Sequence, residues 1–230
     1  MTSGPPHHGI FVAGTDTDVG KTVCAQALVR ALVAHGLRVA ALKPVSAGCR
    51  PTPDGLRNDD ARILMTAANV KLPYDLVNPC AYRLPIAPHI AAQLDARPID
   101  VDACRQAYAA AQRQADFVVV ESAGGWLVPL DDARTTEDLA LAYGLPVVLV
   151  VGIRLGCISH ALLSARAIAA SGLRLAGWIA NRVQADSAYP EQNIAALTQR
   201  IAAPRLGTLA FGVDPDAAAK ALNLDPLLVS

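Results

Sequence analysis

One nine-residue segment constrains this chain more than any other: Gly14-Thr15-Asp16-Thr17-Asp18-Val19-Gly20-Lys21-Thr22. It follows the apolar run Gly9 to Ala13, and the stretch Lys21 to His35 after it repeats apolar residues at helical spacing, with Val23, Ala27, Leu28, Ala31 and Leu32 on one face. A buried strand, a glycine-bounded turn and a helix ending in Gly-Lys-Thr form the setting of a phosphate-binding loop. Backbone N–H groups of such a turn point at an anion, and the helix dipole favours it. Gly20 lets the backbone come close to phosphates, Lys21 supplies a point charge, and the Thr22 hydroxyl can ligate Mg²⁺. Five residues rather than four separate Gly14 from Gly20, so the loop is a variant.

The rest of the chain fits a strand–helix alternation. Strands are predicted at Arg38–Leu42, Phe117–Val120, Val147–Val151, Leu175–Ala180 and Leu206–Leu209. Helices are predicted at 59–69, within 85–96, and at 102–115, 135–143, 157–170 and 190–202. Continuous apolar strands alternating with helices predict an α/β fold: one domain with a mostly parallel sheet covered on both faces. Residues 1–8 are expected to be a flexible tail, and Gly48 to Asn58, with two prolines, a mobile loop.

Composition narrows the partners. Basic and acidic residues number 20 each, for a net charge of zero, which argues against a polyanion as main partner. The basic residues divide into 16 Arg and four Lys, so Lys21, Lys43, Lys71 and Lys220 merit individual inspection. No apolar run approaches the ~20 residues of a membrane span. The five cysteines are scattered and form no C-x-x-C pair, which suggests reduced thiols and a cytoplasmic setting.

Three further groups carry possible chemistry. Glu121 ends an apolar strand, where a carboxylate either reaches a metal or solvates the turn; the glycines at 124 and 125 favour close approach to a ligand. Lys43 ends the second strand and is either an ordinary strand-end lysine or a second ammonium at the phosphates. Asn58-Asp59-Asp60 reads first as a helix N-cap, with a metal carboxylate as the other reading. His89 and His160 lack metal-ligand spacing, and Lys71 and Lys220 suggest no role.

Taken in order, GTDTDVGKT (14–22), LKPVSAG (42–48), GLRNDDA (55–61), APHIAA (87–92), VVVESAGGWLVPL (118–130), PVVLVVGIRLGCISHALL (146–163) and LAGWIANR (175–182) resemble the dethiobiotin synthetase family of biotin-pathway ligases. The resemblance implies that ATP, Mg²⁺ and CO₂ act on 7,8-diaminopelargonate. A carbamate would form on one amine and attack the γ-phosphoryl group, and the neighbouring amine would close the ureido ring from the carbamic–phosphoric anhydride.

By the same resemblance, the backbone of Asp18, Val19, Gly20, Lys21, Thr22 and Val23 would hold the phosphates, and Thr22, Asp60 and Glu121 the metal. Lys43 would be the catalytic cation, with Lys21 and Thr17 beside it. Glu121, Ser122, Ala123 and Gly124 would lie along the nucleotide, with Asn181, Arg182, Ala210, Phe211, Gly212 and Asp216 at the base. The family is a homodimer, and Gly156, Cys157 and Ser159 would hold the substrate carboxylate from the second subunit.

The resemblance departs at Ala47, where the family carries a hydroxyl; here the hydroxyl lies one residue earlier, at Ser46, so a contact to the carbamate would be lost or moved. Ser159 stands where some members have Asn. Two alternatives share the fold. A partitioning-type ATPase switch would usually carry another lysine early in the loop, which Thr15, Asp16 and Thr17 do not supply. A cobyrinate-type ligase would need a glutaminase domain for which the chain has no room.

Overall fold

The computed structural model describes residues 9–186 and 188–228, so the expected tail at 1–8 lies outside the described residues. Six strands form one parallel sheet: β1 (Gly9–Gly14), β2 (Val39–Leu42), β7 (Phe117–Gly125), β8 (Val147–Ile153), β9 (Leu175–Arg182) and β10 (Arg205–Leu209). Their order is β10-β9-β8-β1-β7-β2, with β1 in the interior. Between β2 and β7 come β3 (Val45–Ser46), β4 (Arg50–Thr52), β5 (Gly55–Arg57) and β6 (Cys80–Ala81). The helices are α1 (Lys21–Ala34), α2 (Asp59–Ala67), α3 (Tyr74–Val77), α4 (Pro88–Leu94), α5 (Val101–Gln112), α6 (Thr136–Tyr143), α7 (Cys157–Ala170), α8 (Pro190–Thr198), α9 (Pro215–Lys220) and α10 (Asp225–Leu228).

Alternation along each strand supplies both faces of the core. Ile10 and Val12 pack with Leu28 and Leu32 of α1 and with Ala218 of α9. Phe11 and Ala13 face the other way, with Tyr108 of α5, Tyr143 of α6 and Ile168 of α7. The α/β reading of a parallel sheet with helices on both faces therefore holds, and the apolar strand runs are apolar because both sides are covered.

The differences lie where backbone pairing, not side-chain pattern, decides. Within the segment 48–58, expected as a mobile loop, residues 50–57 form a hairpin: β4 and β5 pair antiparallel, and Thr52 Oγ1 donates to the Gly55 carbonyl at 2.7 Å. β7 continues past its apolar run to Gly125, because Gly125 pairs with Gly14 of β1, so Glu121 lies within the strand opposite Val12 rather than at its end. The short parallel pair β3–β6 and helices α3, α9 and α10 have no counterpart in the sequence reading.

Candidate active site

The turn after β1 is fixed from several directions. Gly20 caps α1 in the left-handed region at φ 80°, and a Cβ there would lie 2.0 Å from Asn181 Nδ2. That amide donates to the Val19 carbonyl at 2.9 Å, so Asn181, on β9, braces the loop. Asp16 accepts the Thr17 N–H at 2.7 Å, and its other carboxylate oxygen accepts from Arg154 at 2.8 Å. Lys21 Nζ donates to the Asp16 carbonyl at 2.9 Å. Burial, with the charge of Lys43 behind it, lowers the Lys21 pKa to about 8.

Beside this loop β2 and β7 run in register, which brings Lys43 and Glu121 to one face. Lys43 Nζ donates to Glu121 Oε1 at 2.6 Å and to the Ser122 carbonyl at 3.1 Å, and stands 3.3 Å from Asp60 Oδ2. Thr22 Oγ1 donates to the same Glu121 oxygen at 2.8 Å. Burial opposes the charge on Lys43, but Glu121 and Asp60 outweigh it, and its pKa is raised above the ordinary lysine value. Glu121 has no exposed surface, and its Oε2 is buried without a partner. Two carboxylates, one of them with that unpartnered oxygen, and a threonine hydroxyl are a hard, all-oxygen donor set of the kind Mg²⁺ takes.

These groups line a cavity of about 670 Å³. Of the sequence-predicted residues it gathers Thr17, Asp18, Gly20, Lys21, Thr22, Lys43, Ser46, Ala47, Asp60, Glu121, Ala123 and Gly124. The capping reading of the 58–60 segment holds, since Asn58 caps α2 by accepting the Ala61 N–H at 3.1 Å, and Asp60 reaches Lys43 at the cavity. Asp59 instead pairs with Arg50. The cavity wall also includes Asn58, the run Pro85 to Pro88, and Val128, whose side chain occupies the space a Cβ on Gly124 would need. The motifs APHIAA and VVVESAGGWLVPL pointed at parts of that wall, the second of them containing Val128.

Other predicted residues stand outside this wall. Asn181 is level with Gly152 of β8 and Leu209 of β10, so Ala210, Phe211 and Gly212 begin at the same sheet edge. Arg182 pairs with Glu191, and Asp216 with Arg30 of α1 at 2.5 Å. Gly156 caps α7 at φ 91°, and Cys157 and Ser159 occupy its first turn. Leu155, just before them, is fully exposed.

A family model described as an AAA domain matches residues 8–214. The chain is 15% identical to a chain of the MinC:MinD cell division complex from Aquifex aeolicus, with a TM-score of 0.56, covering 94% of this chain and 87% of that one. It is 13% identical to the signal recognition particle receptor FtsY from Elizabethkingia anophelis in complex with GDP, with a TM-score of 0.51, covering 94% of this chain but 60% of that one. These two likenesses concern the fold alone.

Sequence relatives are much nearer. The ATP-dependent dethiobiotin synthetase BioD of Cellvibrio japonicus is 49% identical over 220 residues, 95% of this chain and 96% of the relative. The proteins of that name from Aeromonas hydrophila and Pseudomonas paraeruginosa are 47% and 49% identical, over 95% and 94% of this chain. At such identity, along nearly the whole length of both partners, the chain belongs to the ATP-dependent dethiobiotin synthetase family.

Proposed function

We infer that the chain is an ATP-dependent dethiobiotin synthetase, a ligase of biotin biosynthesis. The observation that carries the reading from family to chemistry is the convergence of Lys21, Lys43, Thr22, Asp60 and Glu121 on one cavity at the mouth of the phosphate loop. The absence of any required covalent enzyme intermediate suits a site built from charges and backbone N–H groups, since phosphoryl transfer depends mainly on positioning and charge stabilisation.

In the proposed reaction an amine of 7,8-diaminopelargonate takes up CO₂ as a carbamate. A carbamate oxygen attacks the γ-phosphorus and ADP leaves. The second amine then attacks the carbamoyl carbon, closes the ureido ring and expels phosphate. The loop N–H groups from Asp18 to Val23 hold the phosphates. Lys21 meets their ground-state charge, while Lys43 stabilises charge growing on the transferred group, with Thr17 nearby. Thr22, Asp60 and Glu121 would hold Mg²⁺, which when bound neutralises phosphate charge. Asn181, Arg182, the 210–212 turn and Asp216 are assigned to the base end, with Ser122, Ala123 and Gly124 along the nucleotide.

A homodimer is part of the proposal. Leu155, fully exposed, and Leu163, 63% exposed, support it, since both adjoin the Gly156, Cys157 and Ser159 segment assigned to the substrate carboxylate across the interface. A cytoplasmic location fits the five free cysteines, and no described helix is long and apolar enough to cross a membrane. The switch alternative is not favoured, because the MinD likeness at 15% identity speaks only of fold. Purified protein given ATP, Mg²⁺, bicarbonate and 7,8-diaminopelargonate is expected to release ADP and dethiobiotin in equal amounts. ATP hydrolysis indifferent to the diamine would refute the assignment.

A further inference from the structure

We infer that Asn78 is a positioning residue for the reaction: its buried side-chain amide fixes where the Lys43 ammonium stands, relative to Asp60 and to the reacting groups. Asn78 follows α3, is 3% exposed, and does not line the cavity. Its Nδ2 donates to the Lys43 carbonyl at 2.5 Å, and its Oδ1 accepts from Ser46 Oγ at 2.8 Å and from the Tyr74 hydroxyl at 2.9 Å. The preceding residue completes the grip, since the Lys43 N–H donates to the Val77 carbonyl at 2.9 Å. Residues 77 and 78 thus hold both backbone polar groups of Lys43.

The same amide extends to the acidic side of the site. The Tyr74 oxygen accepts the Asn58 N–H at 2.7 Å, and Asn58 caps α2, whose first turn carries Asp60. One side chain therefore connects the end of β2 to the start of α2, between which the Lys43–Asp60 distance is set. A buried amide with its donor and acceptor both engaged resists displacement, because breaking either bond strands a polar group away from water.

This arrangement also accounts for Ser46. Its hydroxyl proton goes to Asn78, and Cys49 Sγ packs against its oxygen at 3.1 Å. The hydroxyl at 46 is thus engaged in the clamp, while the residue itself lines the cavity.

The inference rests on the reading that the Lys43 ammonium acts on the reacting groups, and a double-mutant cycle separates the two. Turnover of ATP and diaminopelargonate is measured under single-turnover conditions for wild type, Asn78→Ala, Lys43→Ala and the double variant. Asn78→Ala is expected to slow turnover by about 30- to 100-fold with the KM for ATP within about threefold, the scale of a small misplacement of a reacting group. With no ammonium left to position, the same substitution in the Lys43→Ala background should cost less than about threefold.

An equal factor in both backgrounds would make Asn78 merely structural, and unchanged turnover of Asn78→Ala would also overturn the inference. Near-normal turnover of Lys43→Ala would remove the parent reading and the inference together. Should Asn78→Ala fail to fold, Tyr74→Phe cuts only the arm to Asn58. It is expected to lose about five- to tenfold, again only when Lys43 is present. Equal losses in both backgrounds would sink the inference there too.

Discussion

Replacing Glu121 by Gln tests the electrostatics of the site without changing its shape. In the native chain the Lys43 side chain is 5% exposed and the Glu121 side chain fully buried, with 2.6 Å between the charged atoms. Glutamine keeps the volume and removes the charge. Lys43 must then either remain charged with only Asp60, which is 42% exposed and 3.3 Å away, or lose its proton. Deprotonation sets the ceiling: taking a lysine of ordinary pKa ~10.4 to neutrality at pH 7 costs about 4.6 kcal/mol.

Asp60 lowers that figure, so a destabilisation of about 2–4 kcal/mol is expected at pH 7, in the range for removing one partner of a buried pair. The sign of the pH dependence follows from Lys43. Its raised native pKa gives the wild type a stabilisation present below the unfolded pKa and lost as pH rises past the native one. In the variant burial acts without Glu121, the native pKa falls below the unfolded value, and stability rises with pH between the two. The gap between wild type and variant should therefore narrow from pH 7 toward pH 10. Urea unfolding in EDTA at several pH values measures it. A gap under about 1 kcal/mol at pH 7, or one that stays constant to pH 9.5, would refute the account.

Lys43→Ala is expected to lower kcat by about 10²–10³ while ATP affinity, by calorimetry, changes far less, because the charge is needed most in the transition state. Lys21→Ala should weaken both quantities, since that ammonium meets phosphate charge before and during transfer. Gly20→Ala forces a side chain into φ 80° and against Asn181, so a stability loss of at least about 1–2 kcal/mol and weakened ATP binding are expected from thermal melts with and without nucleotide. Chelation by EDTA should abolish turnover and added Mg²⁺ restore it, as a continuous ADP-release assay would show.

The phosphate loop was legible because strand, turn and helix are contiguous, so local pattern and chemistry coincide. Glu121 was legible as a charge ending an apolar run, although that run marked only the side chains and missed the backbone pairing that carries β7 on to Gly125. Asp60 illustrates the opposite case. Its capping context is local, but its approach to Lys43 depends on how α2 packs beside β2, which spacing cannot express. Asn78 left no trace, since an Asn before a proline reads as an ordinary turn, and its partners lie 4, 32 and 35 positions away. The hairpin at 50–57 was hidden by its Pro and Gly content, which matches strand edges and irregular loops alike.

The place of β1 in the sheet governs when the phosphate loop can exist. Its neighbours are β7 and β8, so β1 waits for two strands that come much later in the chain. Until the chain has been synthesised beyond Ile153, β1 lacks one flank, and the Thr15 N–H lacks the Val150 carbonyl it bonds at 3.0 Å. Asn181, which braces the loop at Val19, arrives later still. A nascent chain ending before these residues would expose an apolar strand edge and bind nucleotide poorly. The braced form of the loop therefore depends on a residue 162 positions beyond Val19, and is reached only after Asn181 has been made.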